Sequence, residues 1–166
     1  MELIIRTRSA EETIALGEKI GARATVGTVI ALTGELGSGK TAFTQGLAEG
    51  MGITEKYVAS PSYTLVNHYP GSGLALYHVD LYRLADREEA EDLGLEEVLH
   101  RQGVVAIEWA EKFGDHYWRE DVEVRLKVTG ETDREITLIS RGPAGDRILS
   151  VLLTENNVGE AFGLPV

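Results

Sequence analysis

Short apolar runs, separated by polar and glycine-rich joints, set the rhythm of this chain. Leu3-Ile4-Ile5 predicts a first strand. Ser9-Ala10-Glu11-Glu12 fits a capping box, a serine with a glutamate three residues on, so a helix is expected from about residue 10. Leu16, Ile20 and Ala24 supply its apolar stripe, and Gly27 closes the segment. A buried strand over 28–33 follows. Next comes a helix from Lys40 to Met51, with Phe43 and Leu47 one turn apart and Gly50 and Gly52 as stop signals.

Beyond it, Pro61 holds Ser60 extended, so a loop is expected there, turning into a strand at Tyr63. Pro70-Gly71-Ser72-Gly73 is a turn signal, and the run from Leu74 to Asp80 completes a β-hairpin. The acidic stretch Asp86 to His100 reads as two short helices broken at Gly94. Val104-Val105-Ala106-Ile107 shows no alternation, which suits a strand buried on both faces of a parallel sheet. Val122 to Val128 and Ile136 to Ile139 have period two and are joined by the polar turn Gly130-Glu131-Thr132-Asp133. A last helix, Ala144 to Leu153, is started by Pro143, and the tail from Asn156 to Val166 has no periodicity. Neither an internal repeat nor a linker is visible. The expected organisation is one domain over 1–154 with a peripheral tail at 155–166. Strands alternating with helices predict a three-layer α/β fold, mostly parallel in its central sheet, with antiparallel additions.

The joint between the second strand and second helix carries chemistry. Gly34-Glu35-Leu36-Gly37-Ser38-Gly39-Lys40-Thr41, continued by Ala42, matches GxxxxGK[ST] between a strand and a helix. Glycines there let consecutive backbone N–H groups approach an anion, and the helix start adds unsatisfied N–H groups and the positive end of its dipole. Lys40 would reach the β- and γ-phosphates and Thr41 would place its hydroxyl on Mg²⁺. A glycine-rich turn with a stray lysine is the bland alternative; the flanking strand and helix count against it. The chain is therefore expected to bind a nucleoside triphosphate.

Such a loop needs a carboxylate for Mg²⁺, usually at the end of a neighbouring buried strand. Asp80 and Glu108 both end strands. Glu108 ends the more buried-looking one and is assigned to the metal, directly or through water. Asp80 ends a more amphipathic strand, and could orient the attacking water or hold the metal from further out. Ser60, Ser62 and Thr64 lie on the Pro61 loop, where hydroxyls can meet a γ-phosphate and change order on hydrolysis, although ordinary turn chemistry explains them equally. Trp109 is either a core aromatic or a contact beside the metal carboxylate.

Composition narrows the classes. At 166 residues and 43% hydrophobic, the chain suffices for one cored domain. The absence of cysteine excludes disulfides, cysteine-based zinc sites and thiol nucleophiles. His68, His78, His100 and His116 lack metal-ligand spacing and read as surface or lightly packed residues. With no long apolar run and no signal-peptide pattern, a cytoplasmic protein is expected. A net charge of −11 argues against gripping a nucleic-acid backbone unaided. The acidic run at 86–97 is a solvated helix face or a docking surface for a basic partner. No NKxD, DxxG or LSGGQ-like motif occurs, so guanine specificity, a GTPase-type switch and ABC-type dimers are unsupported. A small-molecule phosphotransferase and a non-catalytic nucleotide-binding module remain the rival classes. Arg83, Arg87 and Arg101 are scattered among acids, rather than converging as a second anionic substrate would require.

Taken together, these segments resemble the TsaE (YjeE) family, the ATPase component of bacterial tRNA threonylcarbamoyladenosine synthesis. The likeness rests on residues 34–41, on Ser60-Pro61-Ser62-Tyr63-Thr64-Leu65-Val66, on Tyr77-His78-Val79-Asp80-Leu81-Tyr82-Arg83-Leu84 and on Glu108-Trp109-Ala110-Glu111. Glu35, Ser38, Ala42, Ser62 and Val79 depart from the family's usual residues. The resemblance implies ATP and Mg²⁺, with Lys40 on the phosphates, Thr41 and Glu108 at the metal, and Asp80 needed for hydrolysis. It also places the base between Ala10 and the hairpin near Asp133. It implies low ATPase activity alone, and action with the TsaD and TsaB proteins, which carry out threonylcarbamoyl transfer to adenosine 37 of tRNA; contact with tRNA would then be indirect.

Overall fold

The computed structural model describes residues 1–54, 58–61, 65–99, 102–114 and 118–156. In chain order the elements are β1 (Glu2–Thr7), α1 (Ala10–Gly21), β2 (Val29–Thr33), α2 (Lys40–Gly50), β3 (Val66–Tyr69) and β4 (Ala75–Asp80). They continue with α3 (Arg87–Asp92), α4 (Leu95–Leu99), β5 (Gly103–Glu108), β6 (Val122–Val128), β7 (Arg134–Ser140) and α5 (Pro143–Asn156). A 3-10 turn at Ala110–Phe113 follows β5.

All seven strands join one sheet in the order β1-β7-β6-β2-β5-β4-β3. β6, β2, β5 and β4 run parallel, while β3, β7 and β1 are added antiparallel to their neighbours. The expected mostly parallel sheet with antiparallel additions is what forms. Parallel pairing explains the unbroken apolar runs of β2 and β5, because helices cover both faces. On one face Leu16, Ile20, Phe43, Leu47, Ile148 and Leu149 pack from α1, α2 and α5. On the other, Leu84, Ala90, Leu95, Val98 and Phe113 cover Ala31, Val79, Val105 and Ile107.

The capping box forms: Ser9 Oγ accepts from Glu12 N at 3.1 Å, and Glu12 reaches back to accept from Arg8 N at 2.7 Å. α1 nevertheless stops at Gly21, well short of Gly27, which lies in the turn before β2. Gly50 is no simple stop signal either, because it ends α2 inside the contact with α1. A Cβ on Gly50 would lie 2.1 Å from the Glu18 carbonyl oxygen, and one on Gly17 2.2 Å from that of Phe43. The two helices therefore touch backbone to backbone, and this contact fixes where α2 begins.

The acidic segment forms two helices as expected. Asp86 Oδ1 caps the first by accepting from Glu89 N at 2.9 Å. Its acids are exposed and Ala90, Leu95 and Val98 point inward. β3 begins at Val66; Ser62, Tyr63 and Thr64 lie outside the described residues. β4 is a correction, since it is buried from Leu76 to Asp80 rather than amphipathic. Its polar positions, His78 and Asp80, are simply covered along with the apolar ones. α5 extends past Leu153 to Asn156, and Glu155 pairs with Arg23 and, at 3.8 Å, with Lys19. Residues 157–166 lie outside the described part. No helix among the described residues is long and apolar enough to cross a membrane.

Candidate functional site

The parallel pairing of β2, β5 and β4 delivers the chemistry to one edge of the sheet. Leu32 is in register with Glu108, and Glu108 with Asp80, so the strand ends carry both carboxylates to the start of α2. Crevices beyond the carboxyl ends of parallel strands are where α/β sheets bind ligands.

Between β2 and α2 the loop turns on glycines at positive φ. Gly39, the N-cap of α2, has φ +105° and makes no side-chain cap, which leaves the helix start without the capping bond a serine or aspartate would supply. Gly34 is held closer still: a Cβ there would lie 2.5 Å from the Leu126 carbonyl oxygen and 2.6 Å from Ser38 Oγ. Leu36 projects from the tip and is 77% exposed. Lys40 is 6% exposed. Its ammonium donates to the carbonyls of Gly34 at 2.5 Å and Glu35 at 2.9 Å, and lies 4.1 Å from the Trp109 ring centroid. Trp109 is half-buried and does both things: it packs against the core under this face of the sheet and makes a cation–π contact with Lys40. Its backbone is left-handed at φ +59°, which turns the chain out of β5 directly beside the loop.

Thr41, Glu108, Ser60 and Asp80 form a chain of oxygens. Thr41 Oγ1 donates to Glu108 Oε1 at 2.9 Å. Ser60 Oγ donates to Asp80 Oδ2 and lies 3.3 Å from Glu108 Oε2. Asp80 Oδ1 accepts from Tyr82 N at 2.8 Å. Both carboxylates are 2% exposed, so neither is an idle strand-end acid at the surface. The expectation that the histidines are superficial fails at His78, which has no exposed surface. Its Nε2 stands 3.4 Å from Glu108 Oε1, and neither ring nitrogen has a well-formed hydrogen bond among the described residues. His68 is exposed and stacks on Tyr77, and His100 and His116 lie outside the described residues.

Burial pushes the Glu108 carboxyl up, but His78, the Thr41 hydroxyl and the Lys40 ammonium outweigh it and hold it below its ordinary value. For Lys40 the balance falls the other way. Burial lowers its pKa, and the carboxylates of Glu108, Glu111, Asp80 and Glu35 restore only part of that.

On the far side of Gly39 a second feature opens. Ala10, Gly39, Ala42, Glu131, Thr132 and Arg134 line a cleft of about 170 Å³ between the start of α1 and the β6–β7 hairpin. Asp133 offers its carbonyl to Arg134 Nη1 at 2.9 Å, at the margin of this cleft. Arg134 is the residue that motif reading misses. Its Nε donates to Ser38 O and its Nη2 to Gly37 O, both at 3.0 Å, tying the hairpin to the glycine loop. Nothing in its spacing signals this, because the two segments lie 96 residues apart.

Of the expected site residues, Glu35, Leu36, Gly37, Ser38, Gly39, Lys40 and Thr41 form one loop, with Asp80 and Glu108 on its helix side and Ala10 and Ala42 across Gly39. Thr64 lies outside the described residues. The donor set fits a nucleotide with Mg²⁺. Hydroxyl and carboxylate oxygens are hard ligands, the kind Mg²⁺ takes. Among the described residues no three His, Asp or Glu side chains gather as a protein-only metal cage. Mg²⁺ needs none, because it keeps waters and takes phosphate oxygens.

A family model described as threonylcarbamoyl adenosine biosynthesis protein TsaE matches residues 7–136. The tRNA threonylcarbamoyladenosine biosynthesis protein TsaE of Bacillus subtilis is 41% identical over 153 residues, covering 92% of this chain and 95% of the relative. The protein of the same name from Treponema pallidum is 41% identical over 132 residues, covering 80% and 96%. The crystal structure of Bacillus subtilis YdiB superposes with a TM-score of 0.79 at 37% identity, covering 95% of this chain and 97% of that one. The motifs, the three-layer architecture and these matches agree, and the chain belongs to the TsaE family.

Proposed function

We propose that this chain is a Mg²⁺-dependent P-loop ATPase of tRNA threonylcarbamoyladenosine biosynthesis, acting in the cytoplasm as a single unit over residues 1–154. The observation that carries the reading is the convergence of Lys40, Thr41, Asp80 and Glu108 around one glycine loop. ATP would lie with its base in the cleft bounded by Ala10, Ala42 and the hairpin at Asp133. Its phosphates would run along Glu35, Leu36, Gly37, Ser38 and Gly39 towards the start of α2.

Mg²⁺, when bound, would supply neutralisation of the charge that builds up on the phosphates. Lys40 then exchanges its carbonyl partners for phosphate oxygens, and its partial desolvation strengthens that contact. Thr41 and Glu108 would hold the metal, Glu108 directly or through water. Asp80, fixed by the Tyr82 amide and by Ser60, orients the attacking water. Ser60 would sense the γ-phosphate and release it on hydrolysis, and Thr64, outside the described residues, is proposed to share that contact. The ATP state binds the TsaD–TsaB complex and hydrolysis resets it; tRNA is reached through that complex, which accords with a net charge of −11.

The test is ATP turnover with and without the TsaD–TsaB complex. Stimulation by the complex, with tRNA modification lost in Lys40→Ala, is expected. Unchanged turnover, or full modification by Lys40→Ala, overturns the reading. The small-molecule kinase alternative predicts ATP-dependent phosphorylation of a metabolite instead.

A further inference from the structure

We propose that Arg134 is the positioning residue that makes base recognition and phosphate binding a single event in this protein. The inference rests on the nucleotide site described above. Arg134 begins β7 and is half-buried at the seam between two parts of that site. Its guanidinium spends one side on the glycine loop, donating to the outward-turned carbonyls of Gly37 and Ser38. Its remaining nitrogen faces the hairpin, donating to the carbonyls of Asp133 at 2.9 Å and Gly130 at 3.2 Å.

The hairpin supplies Glu131 and Thr132 to the cleft wall opposite Ala10 and Ala42. Arg134 is thus the strap between the wall that would meet a purine and the loop that would meet its phosphates. A planar fork of five donors can bridge carbonyls on two segments at once, whereas an ammonium is a point donor that serves one side or the other.

The two halves do not depend on the strap equally. Without Arg134 the loop still has Lys40 on the Gly34 and Glu35 carbonyls and the close seat of Gly34 against Leu126. Leu126 of β6 only packs against the loop at Gly34, and among the described residues no other side chain of the hairpin hydrogen-bonds to the loop. Losing the strap should therefore remove the benefit of the base far more than it weakens contact with the phosphates. A guanidinium that merely braced the loop would affect both alike.

The experiment is titration calorimetry of ATP and of inorganic tripolyphosphate, each with Mg²⁺, against the wild-type chain, Arg134→Lys and Arg134→Ala. Lysine keeps the charge and the aliphatic stem, so the fold is retained in at least that variant. Wild type should bind ATP much more tightly than tripolyphosphate. In both variants the ratio of the two affinities should fall at least tenfold, while tripolyphosphate affinity changes by less than about threefold. Equal weakening of both ligands, or an unchanged ratio, overturns the role of Arg134. Failure of the wild type to bind ATP would instead overturn the nucleotide reading, so the two failures are distinguishable.

Discussion

Gly46 of α2 lies against Ile14 of α1 so closely that a Cβ on Gly46 would sit 2.0 Å from the Ile14 carbonyl oxygen. Backbone, not a movable side chain, occupies that space. Gly17, Gly21 and Gly50 repeat the relationship along the same seam, with their nearest neighbours at 2.1 to 2.2 Å. Because α2 starts at Lys40, the seam sets the position of the phosphate-binding loop as well as the stability of the layer.

Gly46→Ala should therefore destabilise the fold. Alanine gains about 1 kcal/mol of helix propensity over glycine. Overpacking costs about 1–3 kcal/mol where neighbours can shift, and more where they are backbone. The clash should win, lowering the urea midpoint with little change in slope. A stabilised variant would mean that the two helices are not in backbone contact.

Glu108→Gln tests the metal assignment. The amide preserves size and can still meet Thr41, but removes the negative charge. Apparent Mg²⁺ affinity in ATP turnover should fall by about 10–100-fold, by analogy with the loss of groups that tune a metal site. An unchanged Mg²⁺ dependence would move the metal to Asp80.

Ser60→Ala separates binding from hydrolysis. Ser60 touches both Asp80 and Glu108 from a loop outside the glycine cradle. Its loss should lower kcat about tenfold or more while ATP affinity stays within about threefold, since interactions made only in the transition state act on kcat. A large rise in Kd with unchanged kcat would place Ser60 in ground-state binding.

Glu108 and Lys40 make opposite pH predictions. Glu108 is depressed below its ordinary value of 4.5 in the fold, so it contributes stability above that pH. That contribution disappears as pH falls through the lower folded value. Plotted against pH, unfolding free energy should lose less in this acid window for Glu108→Gln than for wild type. Lys40 is also lowered, from 10.5, which for a base means that the fold disfavours its charged form below the folded value. Lys40→Met should therefore leave the melting temperature without nucleotide equal or higher, while ATP no longer raises it. A marked fall in melting temperature without nucleotide would contradict the sign.

Local sequence was sufficient where one segment carries its own instruction. The capping serine at Ser9, the glycine loop before Lys40, the break at Gly94 and the unalternated run of β5 all became the elements that their chemistry dictates, because caps, turns and burial periodicity act within a few residues. The strand-end position of Glu108 beside the loop could be expected for the same reason. Other features were decided only by packing between distant segments. Gly50 read as a stop signal, but it also lies on the surface that admits α1. His78 read as a surface or lightly packed residue, but parallel pairing beside β5 buries it against Glu108. Arg134 carries no motif, and gains its role when β6 pairs with β2 and brings the hairpin to the loop. Helix caps and strand periods are short-range constraints, whereas a pocket shared by residues 10, 42 and 134 exists only once the sheet order is set.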